Sequence, residues 1–293
     1  MPGGRSVDRG SADRGRDPAR VRPRRGGERV IKRYAALIRN AWLVDLQYRA
    51  SIVLWLLWGV TEPAIALGIW WAIAGDGSVA GYARADFARY FFAVMLINQL
   101  TIAWDSWYLD RWIREGELNY RLARPLHPAH EAVAENIAYK ARTASVILVV
   151  WLVVAVAWPA VRLPFDPGRW AVTAVAVLLA AAMRFFISFT TGLLAFWTTR
   201  ATAIMDLHAG VSLFLAGRIA PLALLPPAVA GVAGVLWFRS MLAFPVDVLT
   251  GAVHGTDAIV RGLAAQLVWL GVWVGAYRLA WIRGLRRYGA VGG

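Results

Sequence analysis

Polar and charged side chains interrupt the long apolar stretches of this sequence and carry its clearest chemical signal. They are Glu62, Asn98, Gln99, Asp105 and Arg184. An ionisable group at the centre of a membrane helix costs about 2.5–3.5 kcal/mol on insertion scales, so such groups pair with one another or line a polar path. Counting about 1.5 Å per residue from the expected helix ends places Arg184 and Asp105 at similar depths. We therefore expect these two side chains to pair, either as a structural contact between helices or within a substrate path.

The Lys and His residues of this sequence do not form the spacing patterns of known catalytic or metal-binding motifs. A phosphate-binding P-loop requires Gly directly before its Lys, and neither Lys32 nor Lys140 follows a glycine. The chain has no Cys, so thiolate ligands and thiol nucleophiles are excluded. His127 and His130 supply only two neighbouring ligands, fewer than a zinc site uses. We expect no catalytic, cofactor-binding or metal-ligating residues in this chain.

The composition indicates a membrane protein. Of the 293 residues, 59% are hydrophobic and 17% are charged, whereas soluble domains have about 45–50% apolar and about 25% charged residues. An ordinary water-soluble enzyme is therefore excluded. The net charge of +14 suits anionic lipid better than nucleic acid in a chain this apolar.

The first 48 residues divide into two segments. Residues 1–28 are rich in Arg, Gly, Asp and Pro, so we expect a disordered cytosolic tail. Residues 29–48 have apolar residues at helical spacing, with cations off that stripe. This pattern predicts an amphipathic helix lying in the membrane interface, with Arg29, Lys32, Arg33 and Trp42 as its interfacial residues.

The rest of the chain, residues 49–288, reads as an all-α membrane domain with six spans. About 20 apolar residues cross the hydrocarbon core, and the stretches of that kind are 51–74, 88–109, 143–161, 170–199, 203–222 and 264–282. Of the 32 basic residues, 24 lie in the segments on one side of these spans and seven in the segments on the other. The positive-inside rule therefore places both termini in the cytosol. Residues 226–262 are apolar but broken by Pro and Gly, and we expect a re-entrant pair of short helices on the outer side.

The segment 111–142 is long for a simple connection between spans. It mixes charges of both signs with apolar residues, and Pro128 can open a helix running from Ala129 to Lys140. Such a helix on the cytosolic side would suit a docking element for a partner, although a loop lying among lipid head groups has the same pattern.

Two motifs stand out in the chain, GELNYRLARPLHP at 116–128 and LAGRIAPL at 215–222. The first is similar to the loop written GELD…LLRPL.P in ABC type-2 permeases, the membrane subunits of bacterial ATP-binding-cassette exporters. The sequence LAGRIAPL at 215–222, continuing through WFR at 237–239 to FPVD at 244–247, looks like a second family region. The resemblance covers about residues 29–288. Asn119 departs from it, because an acid is common there, and so does the Arg-rich tail.

The resemblance implies the six-helix type-2 (type V) exporter fold with an N-terminal elbow helix, in a bacterial plasma membrane. Two permease chains would pair, as a homodimer or a heterodimer, on two cytosolic ATPase subunits that bind ATP and Mg. A coupling helix within Leu126–Lys140 would dock on the ATPase. The docking residues would be Glu115, Glu117, Arg121, Arg124, Leu126, His127, His130 and Glu131.

The substrate implied is hydrophobic or amphipathic: a drug, a natural product, a peptide or a lipid-linked molecule. Two alternatives stay open. An ATP-independent carrier or channel predicts inverted internal repeats, and the two halves show no convincing similarity. A non-transporting membrane anchor for an ATPase would have the same sequence features.

Overall fold

The computed structural model describes residues 49–289, together with Ala35 and Arg39; in the first helix it describes side chains from Leu57 onward, apart from Trp58. The predicted tail and the predicted interfacial residues Arg29, Lys32, Arg33 and Trp42 lie outside these residues. The described chain is mostly helical. Its helices are α1 (Arg49–Ala74), α2 (Arg84–Thr101), α3 (Asp105–Arg114), α4 (Leu118–Leu122), α5 (Pro128–Ala157), α6 (Pro167–Leu193), α7 (Ala201–Leu215), α8 (Pro227–Val235), α9 (Phe244–Thr250) and α10 (Thr256–Arg287). A hairpin of β1 (Ser78–Val79) and β2 (Tyr82–Ala83) joins α1 to α2.

Several of these helices have the length and composition of membrane spans. Four such segments are Arg84–Arg114, Pro128–Ala157, Pro167–Phe196 and Thr256–Arg287. A helix pair, Pro227–Val235 with Arg239–Thr250, bends by 77° and makes a fifth if it is one broken span. Gly59–Ala74 and Ala201–Leu215 are shorter apolar helices. The described chain is thus an all-α, multi-pass membrane protein with four or five candidate spans, and the count of six stays a prediction.

The core lies around α2 and α6. Almost the whole of α2 is buried, including Tyr90, Phe91 and Ile97, and it packs with Met183 of α6 and Leu242. By contrast, α5 and α10 are largely exposed and present rows of aliphatic side chains: Leu148, Val149, Leu152 and Val153 on α5, and Leu267, Val268 and Val272 on α10. Apolar rows of this length suit contact with lipid.

The second predicted span, 88–109, is interrupted in the structure. Helix α2 ends at Thr101 and α3 begins at Asp105, with residues 102–104 outside either helix. The hydroxyl of Ser188 on α6 accepts a hydrogen bond from the backbone N–H of Ser106 (2.9 Å) and so satisfies a donor that the start of α3 leaves free. Gly192 lies close beside it, since a Cβ there would meet the Ser106 backbone at 2.9 Å. The contact with α6 therefore fixes a break that the apolar sequence does not indicate.

The helix expected within 126–140 is the first part of a longer one. Helix α5 runs without interruption from Pro128 to Ala157, so the helix that contains the third predicted span begins before residue 143, and the bounds of the span itself stay a prediction. The physical reason is local, because Pro128 is favoured in the first turn of a helix and residues 129–157 contain neither Gly nor Pro. The short helix that stands apart in the 111–142 segment is α4.

The region 226–262 turns sharply on itself. A π-helical turn, Arg239–Ala243, leads into α9, which ends at Gly251 in a left-handed conformation (φ 83°). Gly262 of α10 then passes directly over Phe244, so closely that a Cβ at this position would overlap the ring. The bend of 77° fits a broken span or a re-entrant loop, and the predicted re-entrant arrangement stays a prediction.

Candidate functional site

Residues 115–127, which contain α4 and connect α3 to α5, form a compact projection that we call the ledge. Leu118 is completely buried in a hydrophobic cluster with Leu109 and Trp112 of α3 and Phe189 of α6. Glu115 caps the end of α3 through its backbone N–H, which donates to the carbonyl of Arg111 (2.8 Å). The ledge is therefore packed on the helices rather than loosely attached to them.

Arg121 is the central anchor of the ledge. Its side chain is only 8% exposed and donates to the Glu117 carboxylate at 3.0 Å, while its Nε lies 3.5 Å from Glu131 of α5. The guanidinium carbon also lies 3.9 Å from the centre of the Trp112 ring. A desolvated guanidinium over Trp gains cation–π attraction of about 2 kcal/mol. Arg121 thus joins α3, α4 and α5.

Further charges continue this network toward the surface. Glu117 lies 3.6 Å from Arg111, and Glu131 lies 3.5 Å from Arg124. Exposed pairs of this kind contribute about 0–1 kcal/mol each, so their effect is to orient the ledge more than to stabilise it.

The outer face of the ledge exposes apolar groups. Tyr120 is 46% exposed and Leu122 is 38% exposed. The guanidinium of Arg124 lies 4.9 Å from the Tyr120 ring centre. An aromatic and an aliphatic side chain beside an arginine, on a rigid base, is the composition typical of the anchors of protein interfaces.

His127 closes the ledge against the first turn of α5. Its Nδ1 accepts a hydrogen bond from the backbone N–H of Ala129 (3.1 Å), so it acts as the N-cap of the helix. Its ring lies 4.4 Å from that of Trp281 on α10. Burial lowers the pKa of His127 below its ordinary value, and the nearby His130 lowers it further. The neutral, hydrogen-bond-accepting form is therefore the one that the fold selects.

The structure brings the predicted docking residues together in two groups. Glu117, Arg121, Arg124 and Glu131 share one ion network. Leu126, His127 and His130 lie at the junction with α5, and Glu115 is exposed at the end of α3. The docking role of all eight stays a prediction.

A second group of polar side chains lies deep between the helices. Arg184 of α6 donates through Nη1 to Asn98 Oδ1 and to Thr101 Oγ1, both at 2.9 Å. The expected pairing of Arg184 with Asp105 is therefore wrong. The depth along the helix axis was a poor guide, because the break at 102–104 separates Asp105 from α2 and starts a new helix with its own facing direction.

Asp105 instead faces α5. Its Oδ2 accepts a hydrogen bond from the Asn136 side chain (3.2 Å), and Asn136 Oδ1 accepts one from Lys140 (2.6 Å). Gln99 donates to the hydroxyl of Tyr139 (3.3 Å) on the same helix. A polar seam thus joins the end of α2 and the start of α3 to the first part of α5.

Glu62 of α1 pairs with Arg218, which follows α7. Two further contacts hold the same turn, since the hydroxyl of Tyr90 donates to the Gly217 carbonyl (2.7 Å) and the indole N–H of Trp70 donates to the Ile219 carbonyl (2.8 Å). Gly217 has φ 79° and lies against Tyr90, so a side chain there would strain the backbone and clash. The turn 217–219 is therefore clamped onto α1 and α2.

Sequence reasoning missed several members of these groups. Asn136 and Lys140 are four residues apart on one helical face, and that spacing could have indicated a polar seam. No local pattern links Arg218 to Glu62, 156 residues away. Among the residues described, no group of three or more His, Cys, Asp or Glu could hold a metal ion.

The fold and the buried charges define a helical, multi-pass membrane protein with a rigid projection at one end. A family model described as ABC-2 family transporter protein matches residues 64–292, and the chain belongs to that family. Membership implies that it is a transport component associated with an ABC ATPase, as the sequence motifs indicated. No curated protein and no solved structure matches the chain significantly.

Proposed function

We propose that this chain is the membrane permease subunit of an ATP-driven exporter in a bacterial plasma membrane. It has six spans, because α1 and α7 cross together with the four longer segments, and both termini are cytosolic. Two permease chains pair and assemble with two ATPase subunits. ATP and Mg bind to the ATPase, and this chain supplies the path for a hydrophobic or amphipathic substrate.

The observation that carries the proposal, beyond family membership, is the ledge. It combines the exposed Tyr120 and Leu122 with Arg124 over a buried anchor, Arg121. Because α5 continues from the ledge as one helix to Ala157, a force on the ledge is transmitted along a rigid rod. We propose that the docking contact lies on α4 and residues 122–127 and extends over the start of α5, within the predicted coupling segment 126–140, so that α5 is the lever that moves.

The polar groups between α1, α2, α6 and α7 favour a transport path between these four helices. Arg184, Asn98 and Thr101 line this region, and Glu62 with Arg218 lies at one end of it. An ionisable residue within a membrane helix is by default a candidate for a substrate pathway. The substrate path is thus proposed to run beside Arg184.

The test is co-purification of the tagged chain from native membranes, with ATPase activity assayed on the eluate in the presence of ATP and Mg. Leu122→Asp is compared with Phe165→Asp, a matched control that changes another exposed apolar side chain, in the connection between α5 and α6. We expect the ATPase to co-purify with wild type and Phe165→Asp, and its recovery to fall about tenfold or more in Leu122→Asp, as for an interface hot spot.

Other results would contradict specific parts of the proposal. No ATPase with the wild-type chain after gentle extraction would favour an ATP-independent carrier or channel. An ATPase that co-purifies while no substrate moves in reconstituted vesicles would favour a membrane anchor. Equal recovery with Leu122→Asp and Phe165→Asp would remove the docking role of the ledge.

A further inference from the structure

The hydrogen bonds of Arg184 leave part of its guanidinium available. Both bonds use Nη1, and both acceptors, Asn98 and Thr101, are neutral and almost completely buried. Within the described part of the chain, Nε and Nη2 have no carboxylate partner, and the side chain is only partly buried. Arg184 is thus a cation held in place by neutral groups, and these two hydrogen bonds do not use its Nε or Nη2 donors.

The neighbouring carboxylates are engaged elsewhere. Glu62 pairs with Arg218, and Asp105 is hydrogen-bonded to Asn136, which also binds Lys140. Lys140, Arg218, Glu62 and His208 are all within electrostatic range of Arg184. A partly buried charge that lacks a counter-charge carries a desolvation cost, so the local excess of positive charge favours an anion beside Arg184.

Helices α2 and α6, which carry Asn98 and Arg184, pack on each other. Helix α1 packs on α2 and α5, and α7 packs on α6, α3 and α8. We call the space between α1 and α7, over α2 and α6, the groove. The turn 217–219 ties α1 to the end of α7 through Glu62 and Trp70. Both helices expose aliphatic side chains, Ile65 and Ile69 on α1 and Ile204 and Leu207 on α7, and we take these as the apolar flanks of the groove.

The position of Arg184 along α6 determines which half of the groove contains its positive charge. Arg184 lies about 26 Å along α6 from Pro167, in the half of the helix nearer the ledge. An amphiphile whose head group reached Arg184 would place its apolar part along the groove toward the turn 217–219. Head-group charge and apolar flanks therefore select the same kind of ligand.

We propose that Arg184 binds the anionic head group, a phosphate or carboxylate, of an amphiphile that lies in the groove between α1 and α7. This inference rests on the proposed transport function, because it identifies the transported substrates as anionic amphiphiles. The binding itself is a property of this chain alone and is measured without the ATPase.

The binding test uses the purified chain in phosphatidylcholine nanodiscs and follows the unfolding temperature as n-dodecyl phosphate is added, since a ligand of the native state raises that temperature. Dodecyltrimethylammonium tests whether the head group must be negatively charged, and inorganic phosphate tests whether the ligand must carry an alkyl tail. Nanodiscs containing phosphatidylglycerol show by competition whether a bilayer lipid takes the same site. We expect a saturable shift with dodecyl phosphate alone, and no competition by phosphatidylglycerol.

Three variants separate binding from folding. Arg184→Gln should weaken binding about tenfold or more, the value of a lost hydrogen bond to a charged group. Asn98→Asp, which gives Arg184 a carboxylate of its own in nearly unchanged shape, should weaken binding similarly and keeps the test valid if Arg184→Gln does not fold. Glu62→Gln should strengthen binding, because it releases the charge of Arg218. Arg261→Gln, at an exposed arginine on α10, is the control and should leave binding unchanged.

The outcomes decide the proposal. Loss in Arg184→Gln and Asn98→Asp with a gain in Glu62→Gln supports it. Unchanged affinity in both of the first two variants, or equal binding of the cationic amphiphile, overturns it. Equal affinity for inorganic phosphate overturns the amphiphile class, and competition by phosphatidylglycerol overturns the substrate interpretation in favour of a resident lipid. None of these results depends on whether an ATPase co-purifies.

Discussion

Replacing Arg121 by Met should release the ledge from the helices without unfolding the whole chain. The substitution removes the charge that Glu117 and Glu131 share, while Met still covers Trp112. Removing one partner of a buried ion pair costs about 3–5 kcal/mol. We take the lower end of this free-energy range, because the side chains of Glu117 and Glu131 are still 30% and 21% exposed. About 3 kcal/mol corresponds to roughly a hundredfold increase in the population of the open ledge.

Amide hydrogen exchange over residues 115–127 measures that opening directly. Exchange in these peptides should accelerate about a hundredfold in Arg121→Met, while peptides from α6 keep their protection. Arg124→Met is the matched control, since Arg124 is exposed and its pair with Glu131 is worth about 0–1 kcal/mol. Unchanged exchange in Arg121→Met, or an equal effect of the two variants, would show that the ion network does not hold the ledge.

Two further predictions concern the elements around the ledge and the groove. Lowering the pH below about 6.5, the ordinary pKa of His, should destabilise the chain. Protonation of His127 removes the acceptor for the Ala129 N–H. Because the pKa of His127 is lowered in the folded state, that state binds fewer protons than the unfolded one, and stability falls as the pH falls. Unfolding temperatures between pH 5 and 8 check this, and His127→Asn, which keeps a cap, should lose that component of the pH dependence. Gly262→Ala should cost about 1–3 kcal/mol by forcing Phe244 aside, whereas Gly271→Ala, in open space on the same helix, should be neutral or stabilising by up to about 1 kcal/mol. Equal unfolding temperatures for the two glycine variants would contradict the packing of α9 on α10.

The sequence by itself determined the class of the protein and its family. Composition and the lengths of apolar runs suffice for an all-α membrane protein, because the hydrocarbon core requires long, internally hydrogen-bonded helices. Local residue chemistry also fixed some boundaries, as at Pro128 and Pro167, which open α5 and α6. The family motifs at 116–128 and 215–222 agree with the match over residues 64–292.

Only the tertiary structure decided which polar groups meet. Depth along a helix can be counted from the sequence, but each residue turns the side chain by about 100°, so small errors in a helix end change which neighbour it faces. The break after Thr101 directs Asp105 toward Asn136 and leaves Arg184 with Asn98 and Thr101. The pairing of Glu62 with Arg218 depends likewise on how the turn after α7 is placed against α1. These contacts join residues far apart in the chain, and their geometry is set by helix packing rather than by any local pattern.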